Sequence, residues 1–279
     1  TTLTVRYRVG GGANTNAGSN EISSVSESSF DLGRLDLNSA AVDEVAGSFS
    51  VLNPEPVQGG RDEIPLSEIK HLISANFAAQ GRAVTVEDFI ARAMSMPAKF
   101  GSIFRANARP SKLNKSSVEL IVLAKNSAGN VTTGSTNLKE NLKKYLGRFR
   151  MLTDAIDILD GEVINVEVNF SVLTKQEFNK TEVLSNCIIV LKDYFKIDKW
   201  QIGQPIIISQ IFCLLTEVAG VLSAYDVNIF NRSGNFDNRV YSSTPYNIQE
   251  NTLNGIVFCK TNAIFETKFP NRDIKGVAK

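Results

Sequence analysis

Acidic side chains beside a Gly-Gly pair are the first residues of this sequence whose types and spacing could do chemistry. Asp62 and Glu63 follow that pair after one arginine. A retaining glycosidase needs two carboxyls about 5 Å apart across a cleft. Adjacent residues diverge on a helix or a strand, and the pair Glu87 and Asp88 has the same weakness. The sequence therefore favours anions at helix starts over a hydrolytic pair at both places.

A single histidine restricts the other kinds of catalysis. His71 lies between Ile69 and Leu72 in a stretch with helical periodicity. No metal site can draw on two imidazoles, and a lone histidine without placed partners has no mechanism. We expect a structural role for His71. We therefore predict no catalytic residues, no cofactor and no metal.

A second acidic group invites a calcium or magnesium interpretation. Its members are Asp154, Asp157, Asp160 and Glu162. The run departs from the spacing of a calcium-binding loop. Ile156 and Ile158 alternate with the acids, which favours a strand that ends at an Asp-Gly turn.

Basic residues cluster on one face of a predicted helix. They are Lys139, Lys143, Lys144, Arg148 and Arg150. Interleaved exposed aromatics, which nucleic-acid surfaces use, are missing from the pattern. The whole chain has a formal charge of only +1, so no long-range field recruits nucleic acid or an anionic membrane. We predict a solvated face or a protein-protein contact here, without nucleic-acid or membrane partners.

Two other features have structural interpretations. The three cysteines, Cys187, Cys213 and Cys259, form no ligand or CxxC pattern, and we expect buried small hydrophobes in a reducing compartment. The run "GGGANTNAGSN" lacks the Lys-Ser/Thr or the GxGxxG of a phosphate cradle, so it predicts a mobile loop.

The elements that must position these residues fall into three segments. Residues 1–55 are predicted to be β-rich, with a strand at Leu3–Val9 and short strands and turns over 28–52. Residues 56–112 predict a helix pair. The first helix would bury one face, formed by Leu66, Ile69, Leu72, Ile73 and Phe77. The second would begin at Thr85 with Asp88 in a capping box, and Pro97 would limit it.

Residues 113–279 predict a mixed α/β region with an antiparallel or mixed sheet, and the whole chain an α+β fold. The clearest strand is "EVINVEVNFSVL", whose even-numbered positions from Ile164 are apolar and whose odd-numbered positions would face solvent or a partner. Helices are expected over 136–150, 181–196 and from Pro205 to about Val221, followed by the strand "SAYDVNIFN". The apolar stretch from Pro205 carries Gln210 and Glu217, which favours a core helix over a membrane span.

Several of these blocks, in this order, resemble the baseplate J-like proteins of contractile phage tails, and within them the baseplate wedge proteins of T-even-type phages. The blocks are "NPEPVQGGRDEIPLSEIKHLI", "RAVTVEDF", "INVEVNFSV", "IGQPIIISQI" and "EVAGVLSAYDVNI". They span Asn53 to Ile229. The family's N-terminal region has no counterpart here, so the resemblance suggests a C-terminal fragment.

The resemblance implies a non-enzymatic component of the tail baseplate in the virion, assembled in the host cytoplasm. It would form a ring around the hub by contacts with itself, including dimer contacts, and with other baseplate wedge and hub proteins. The ring would rearrange when sheath contraction is triggered. The matching motif positions are expected to form a turn, helix caps and an Arg-to-acid pair; they are Gly59, Gly60, Arg61, Asp62, Glu63, Arg82, Thr85 and Asp88.

Two alternatives stay open at this point. One is a tail-associated glycan-degrading enzyme that uses Glu63 or Asp62 with a further partner. The other keeps the fold and places it in the baseplate of a bacterial contractile injection system. The stretch from Asn53 to Met96 therefore poses the main question, whether its Gly-Gly turn is an active site or a structural joint.

Overall fold

A computed structural model describes residues 10–27, 39–78, 81–112, 114, 117–152 and 154–279. The strand predicted at Leu3–Val9 lies outside these residues, as do positions 28–38 of the short strands predicted over 28–52. The described residues form seven α-helices and thirteen strands, several of them two residues long. Parallel and antiparallel pairings both occur, which confirms the predicted α+β class with a mixed sheet.

The bounds of the elements are as follows. The helices are α1 Ser39–Ser48, α2 Leu66–Ala78, α3 Val86–Met94, α4 Thr136–Leu146, α5 Lys180–Tyr194, α6 Ile208–Thr216 and α7 Pro270–Asp273. The strands are β1 Arg105–Pro110, β2 Ser117–Lys125, β3 Val131–Thr132, β4 Ala155–Asp160, β5 Glu162–Thr174, β6 Ile206–Ile207, β7 Val221–Arg232, β8 Asn235–Phe236, β9 Arg239–Val240, β10 Thr252–Leu253, β11 Ile256–Val257, β12 Ala263–Glu266 and β13 Ile274–Ala278. Short 3-10 turns occur at Gly12–Thr15, Ala98–Phe100 and Ile197–Lys199.

The first sheet is built on β2. Strand β1 pairs with it antiparallel, β4 pairs with it parallel on its other side, and β3 pairs with its last two residues. A continuous apolar run, Leu120 to Ala124, is buried throughout, as expected of a strand covered on both faces. Leu120 and Val122 belong to the core shared with helices α3 and α4, whereas Leu123 belongs to the core of the second sheet. Strand β2 therefore separates the two cores.

The second sheet is built on β5, the longest strand. Strand β7 pairs with it antiparallel on one side, and β12 and β13 pair with it parallel on the other. The predicted alternation is present, because Ile164, Val166, Val168, Phe170 and Val172 are all buried in one core. Helices α5 and α6 cover this core through Cys187, Leu191, Ile211 and Leu215. The core is large because the strand and both helices contribute whole apolar faces.

The helix predicted from Pro205 to Val221 is shorter in the structure. It occupies only Ile208–Thr216, since Gly220 has a φ of 90° and turns the chain into β7. Glycine adopts a positive φ without a steric penalty, and a residue with a positive φ cannot continue a right-handed helix. Within the described part of the chain, no helix is long and apolar enough to cross a membrane.

The segment 39–48 differs from the expectation of short strands and turns over 28–52. Positions 39–48 form helix α1, whose sequence SAAVDEVAGS contains three alanines, the strongest helix former. The Gly/Asn/Ser run is also held by specific contacts, which the prediction of a mobile loop did not foresee. Ala17 forms an isolated bridge with Val57, and the Asn20 N–H donates to the carbonyl of Asn53.

The first positions of the predicted polar face of β5 are covered by other segments of the chain, whereas Leu173 at its end is 40% exposed. Asn165 and Glu167 are buried, although their side chains point away from the apolar core. The amide of Asn165 donates to Glu266, and Glu167 accepts from Arg232 (2.7 Å) and Lys275 (3.0 Å). Burial of these groups is possible because each has a charged or amide partner within hydrogen-bond distance.

Polar contacts connect the two sheets. The Arg105 guanidinium donates to the carbonyls of Trp200 (2.8 Å) and Asp198 (2.6 Å), and the Asn107 amide donates to Thr261 O. Glu266 of the second sheet accepts from the Val131 N–H of the first (2.8 Å). The division into segments 1–55, 56–112 and 113–279 stays a prediction; β1 and β2 pair across its second boundary.

Candidate functional site

The segment predicted as a Gly-Gly turn is clamped by an asparagine from the N-terminal run. Asn16 is buried, and its Oδ1 accepts from the Gly60 N–H at 2.6 Å. Its Nδ2 donates to the carbonyls of Gly60 and Lys125, both at 3.2 Å. The Asn16 side chain therefore connects Gly60 to Lys125 at the end of strand β2, which lies 109 residues after Asn16 in sequence.

The two glycines of the turn have different surroundings. A Cβ atom on Gly60 would lie 2.1 Å from the carbonyl oxygen of Gly12 and 2.7 Å from Thr15 Oγ1. The backbone would have to shift to relieve this contact, and the shift would break the hydrogen bonds between Asn16 and Gly60. A Cβ on Gly59 would meet nothing within 4 Å. The requirement for glycine thus belongs to Gly60 and arises from the close approach of the N-terminal run.

Gln58 continues the clamp on the other side of the turn. Its side chain is buried, its amide donates to Thr133 O (3.2 Å), and its Oε1 accepts from the Ser135 N–H (2.9 Å). Its backbone carbonyl accepts from Ser102 N. Gln58 therefore ties the turn to the loop before helix α4. We call the set Asn16, Gln58, Gly60, Arg61 and Asp62 the Gly-Gly joint.

The charged residues of the joint bind neighbouring segments. Asp62 is exposed, and its Oδ1 accepts from the Ala13 N–H at 2.9 Å. Arg61 donates to the Met94 carbonyl at the end of α3 (3.0 Å) and to Glu68 of α2 (3.3 Å). A second guanidinium, that of Arg105, lies 3.8 Å from the same Glu68 oxygen. Arg61 thus pairs with Glu68 and not with its neighbours in sequence, Asp62 and Glu63.

A cavity of about 240 Å³ lies against the joint, beside strands β1 and β2 and the 3-10 turn at Ile197–Lys199. Its charged lining consists of Arg61, Asp62, Glu63, Glu68, Arg105, Lys125, Lys196 and Asp198. Burial lowers the pKa of the Arg61 and Arg105 guanidinium groups, and Glu68 opposes that effect on both. The lining has as many acids as bases, and Lys125 pairs with Asp198. Such a lining gives neither an anion nor a cation a net attraction.

The second helix of the pair starts with a reciprocal cap. Thr85 Oγ1 accepts from the Asp88 N–H (3.2 Å), and the Asp88 carboxylate accepts from the N–H groups of Thr85 (2.9 Å) and Val84 (3.1 Å). Burial acts to raise the pKa of the Asp88 carboxyl, but these hydrogen bonds lower it more, so its pKa lies below the ordinary value. Arg82 is exposed just before this cap.

The other candidate groups are distributed among separate partners. Asp157 accepts from the Ser117 hydroxyl, Asp160 from Lys139, and Glu162 from Lys260 and Asn262. The described residues contain no group of three His, Cys, Asp or Glu side chains that could hold a metal ion. His71 and Glu63 are exposed, His71 on helix α2 and Glu63 on the rim of the cavity.

The basic face and the cysteines are placed as follows. Lys139 of the predicted basic face pairs with Asp160, and Lys143 and Lys144 are exposed in the last turn of α4. Cys187 is buried as expected, but Cys213 is exposed, because α6 presents that position outwards, and Cys259 is half-buried. Burial raises the pKa of the Cys259 thiol to about 12.

The predicted apolar face of helix α2 does not pack on the core. Leu66, Ile73 and Phe77 have exposed fractions of 67%, 63% and 85%, and Ile69 is also exposed. Of the residues on this predicted face, only Leu72 contacts the core that β2 shares with helices α3 and α4. Glu68 and Asn76 lie on the inner face instead, where the Asn76 amide donates to Leu72 O and to the Ser95 hydroxyl of the neighbouring segment. The helix thus docks by polar contacts and leaves an apolar stripe outside.

Four residues that organise this region were absent from the sequence-based site. Asn16, Gln58, Glu68 and Arg105 each connect segments far apart in sequence. An asparagine in a Gly/Ser-rich run and a glutamine before a glycine pair are common, so neither position carried a signal. Only the tertiary structure brings these side chains together.

Comparisons with known proteins give distant likenesses to solved structures only. No protein-family model matches the sequence, and no curated protein matches it. A solved structure that is similar is the cryo-EM structure of the anti-feeding prophage baseplate, symmetrised sixfold. The similarity covers 65% of this chain and 41% of that chain, with 16% sequence identity and a TM-score of 0.42. This chain thus spans about two fifths of that chain's length, and a likeness at this level assigns neither a family nor a function.

Proposed function

We propose that this chain is a non-enzymatic structural component of a contractile tail baseplate. It would form part of a ring around the hub through contacts with itself and with other wedge and hub proteins, in the virion, after assembly in the host cytoplasm. The ring would rearrange when sheath contraction is triggered. The ordered sequence blocks between Asn53 and Ile229 support the proposal.

The exposed stripe of helix α2 is the observation that carries an assembly role. Leu66, Ile69, Ile73 and Phe77 follow each other at helical spacing and are all exposed. Contiguous exposed apolar side chains of this size are a mark of protein-protein contact sites. The stripe belongs to the block "NPEPVQGGRDEIPLSEIKHLI" and its continuation. We assign its occupant as another baseplate protein that buries the stripe during assembly.

The joint has a mechanical part in this proposal. It connects the N-terminal run, helices α2 and α3, and the first sheet through Asn16, Gln58 and Arg61. A building block that transmits a rearrangement needs its contact surface fixed to its body. We propose that Gly59, Gly60, Arg61, Asp62 and Glu63, with Arg82, Thr85 and Asp88, serve this structural purpose and not catalysis.

Incorporation into tails tests the proposal. Ile73→Glu and Phe77→Glu change exposed side chains, so the chain should fold but be lost from purified baseplates. Lys70→Glu, on the same helix and also exposed, is the matched control and should be incorporated normally. The measurement is immunoblotting of tails separated by sedimentation, with circular dichroism of the free chain to show that folding is retained.

The opposite results are equally specific. Equal incorporation of Ile73→Glu, Phe77→Glu and the control would remove the stripe as an assembly surface. Absence of the wild-type chain from purified tails would overturn the baseplate assignment. Sustained cell-wall clearing by the purified chain that is lost on Glu63→Gln would replace it with glycan hydrolysis.

A further inference from the structure

In the described part of the chain, strand β7 has one edge without a strand partner. It runs for 12 residues, from Val221 to Arg232, and pairs along one side with β5. Among the described residues, β5 is the only strand that pairs with it. An unpaired edge presents a row of backbone N–H and C=O groups that can bind a further strand. The question is whether anything along this edge favours or prevents such a contact.

The first half of the edge is interrupted, and the second half is regular. Register shifts against β5 leave Leu222 and Tyr225 without partners. Such irregularities twist an edge and discourage pairing. From Asp226 to Arg232 the register is continuous, and this segment contains neither lysine nor proline. Seven residues are thus available as a straight template.

The charges of this segment are self-complementary. Asp226 and Arg232 are the only charged residues of β7, they have opposite signs, and they lie on the same face. In an antiparallel pair centred on Ile229, Asp226 of one strand lies opposite Arg232 of the other, twice. The Nε of Arg232 donates to Glu167, and a guanidinium has four further N–H donors for a second carboxylate.

Apolar surface adjoins the same segment. Phe230 is 42% exposed on the face that carries the charges, and the same pairing places it opposite Asn228. A groove of about 860 Å³ also runs beside the strand, between residues 227–232 and residues 245–249. Its apolar lining includes Ile208, Ile248 and Val257. A strand added to the edge would cover Phe230 and place its alternate side chains over the groove.

We infer that the outer edge of β7 is a self-association surface, at which a second copy of the chain pairs antiparallel through its own β7. The two-fold axis passes at Ile229, and the contact extends over Asp226 to Arg232. A two-fold contact uses the same surface on both copies, which this charge pattern satisfies. The inference deepens the proposed function, on which it rests for its biological purpose, by naming one contact of the chain with itself.

Sedimentation equilibrium of the whole chain tests the contact. The wild-type chain should dimerise reversibly, and Asp226→Arg should raise the dimer dissociation constant by about tenfold, because two like-charged pairs replace two opposite ones. Glu140→Arg, an equal charge change at an exposed position of α4, is the control and should leave it unchanged. Arg232 is kept, since it also holds Glu167. A strictly monomeric wild type, or a dimer indifferent to Asp226→Arg, would overturn the inference.

A disulfide experiment locates the axis. In a Cys213→Ser background, a chain with Asn228→Cys mixed with a differently tagged chain with Phe230→Cys should form a mixed disulfide, since opposed residues have Cβ atoms about 5 Å apart. Ser223→Cys, beyond the register shift, should not. A dimer that gives no mixed disulfide refutes the β7 contact but leaves baseplate incorporation, measured separately, as the test of the proposed function.

Discussion

The Gly-Gly joint and the second sheet are stabilised in opposite ways. In the joint, single polar side chains such as Asn16 and Gln58 bind backbone groups of distant segments. In the second sheet, the strand β5 and helices α5 and α6 bury a continuous apolar core that includes Trp200 and Phe265. Polar clamps depend on geometry at a few atoms, whereas apolar burial is spread over many contacts.

This difference has a consequence for each region's sensitivity to substitution. In the joint, a small change at one position should open contacts among several segments, although little apolar surface is lost. In the second sheet, the cost should scale with the apolar volume removed and stay local to the core. Four substitutions test this distinction, in order of decreasing expected effect.

The largest loss is expected in the second core. Phe265 is 1% exposed and packs edge-on against Tyr246, with ring centroids 5.9 Å apart. Phe265→Ala should lower the free energy of unfolding by about 3–5 kcal/mol, through lost burial and the cavity left behind. Urea denaturation measures this, and amide exchange of Ala13 and Gly60 should be unchanged below the transition. Faster exchange there would show that the two regions are coupled.

A smaller total loss but a wider local effect is expected at the joint. Gly60→Ala places a Cβ at 2.1 Å from Gly12 O and should cost about 2–3 kcal/mol, because backbone must shift and the Asn16 clamp must lengthen. Gly59→Ala, with open space, is the matched control and should change stability by less than about 0.5 kcal/mol. Equal effects of the two substitutions would contradict the close-approach explanation.

The cap of helix α3 should contribute less. Thr85→Ala removes the hydroxyl that accepts from Asp88 N, and a lost N-cap side chain typically costs about 1 kcal/mol. The pKa of Asp88 lies below its ordinary value, so the cap's stabilisation is present above that ordinary pKa and is lost as pH falls through the lowered one. The matched variant Asp88→Ala removes the carboxylate itself, so its deficit, measured by urea denaturation from pH 7 downwards, should shrink in acid, whereas the Thr85→Ala deficit should vary less. An Asp88→Ala deficit that does not vary with pH would contradict the reciprocal cap.

The smallest effect is expected from Glu266, which connects the two sheets. Burial raises the pKa of its carboxyl, and the hydrogen bonds from Val131 and Asn165 oppose this only in part. Between the ordinary pKa and the raised pKa, the folded chain keeps the Glu266 proton while the unfolded chain loses it. The free energy of unfolding should therefore fall as pH rises through this range. Glu266→Gln should flatten part of that fall. Burial also raises the pKa of the Asp273 carboxyl, which should contribute to the same fall.

Local patterns were sufficient for most elements of the second sheet and for several helices. The alternation around Ile164 and the cap at Thr85 depend on neighbours within a few residues, so the sequence contains what is needed to predict them. The end of α6 was missed, because Gly220 competes with an apolar pattern that continues beyond it. Helix α1 was missed because its short apolar pattern has no strong period.

Burial of whole faces could not be predicted from periodicity. The apolar stripe of α2 has the spacing of a core helix, yet the structure turns Glu68 and Asn76 inwards and leaves Phe77 outside. Likewise, the polar positions Asn165 and Glu167 of β5 are buried by segments more than 60 residues away. A period specifies that a helix or strand has two faces, but the contacts of distant segments decide which face is inside.

The sequence by itself determined the α+β class and the main strands and helices. Only the tertiary structure decided that Asn16 and Gln58 hold the segment at Gly59 and Gly60, that Gly60 and not Gly59 must lack a side chain, and that no described strand pairs with the outer edge of β7. The physical reason is how far apart in sequence the contacting residues lie. Turns, caps and alternation arise from contacts within a few residues, whereas clamps and edges arise from segments brought together by the packing of the whole chain.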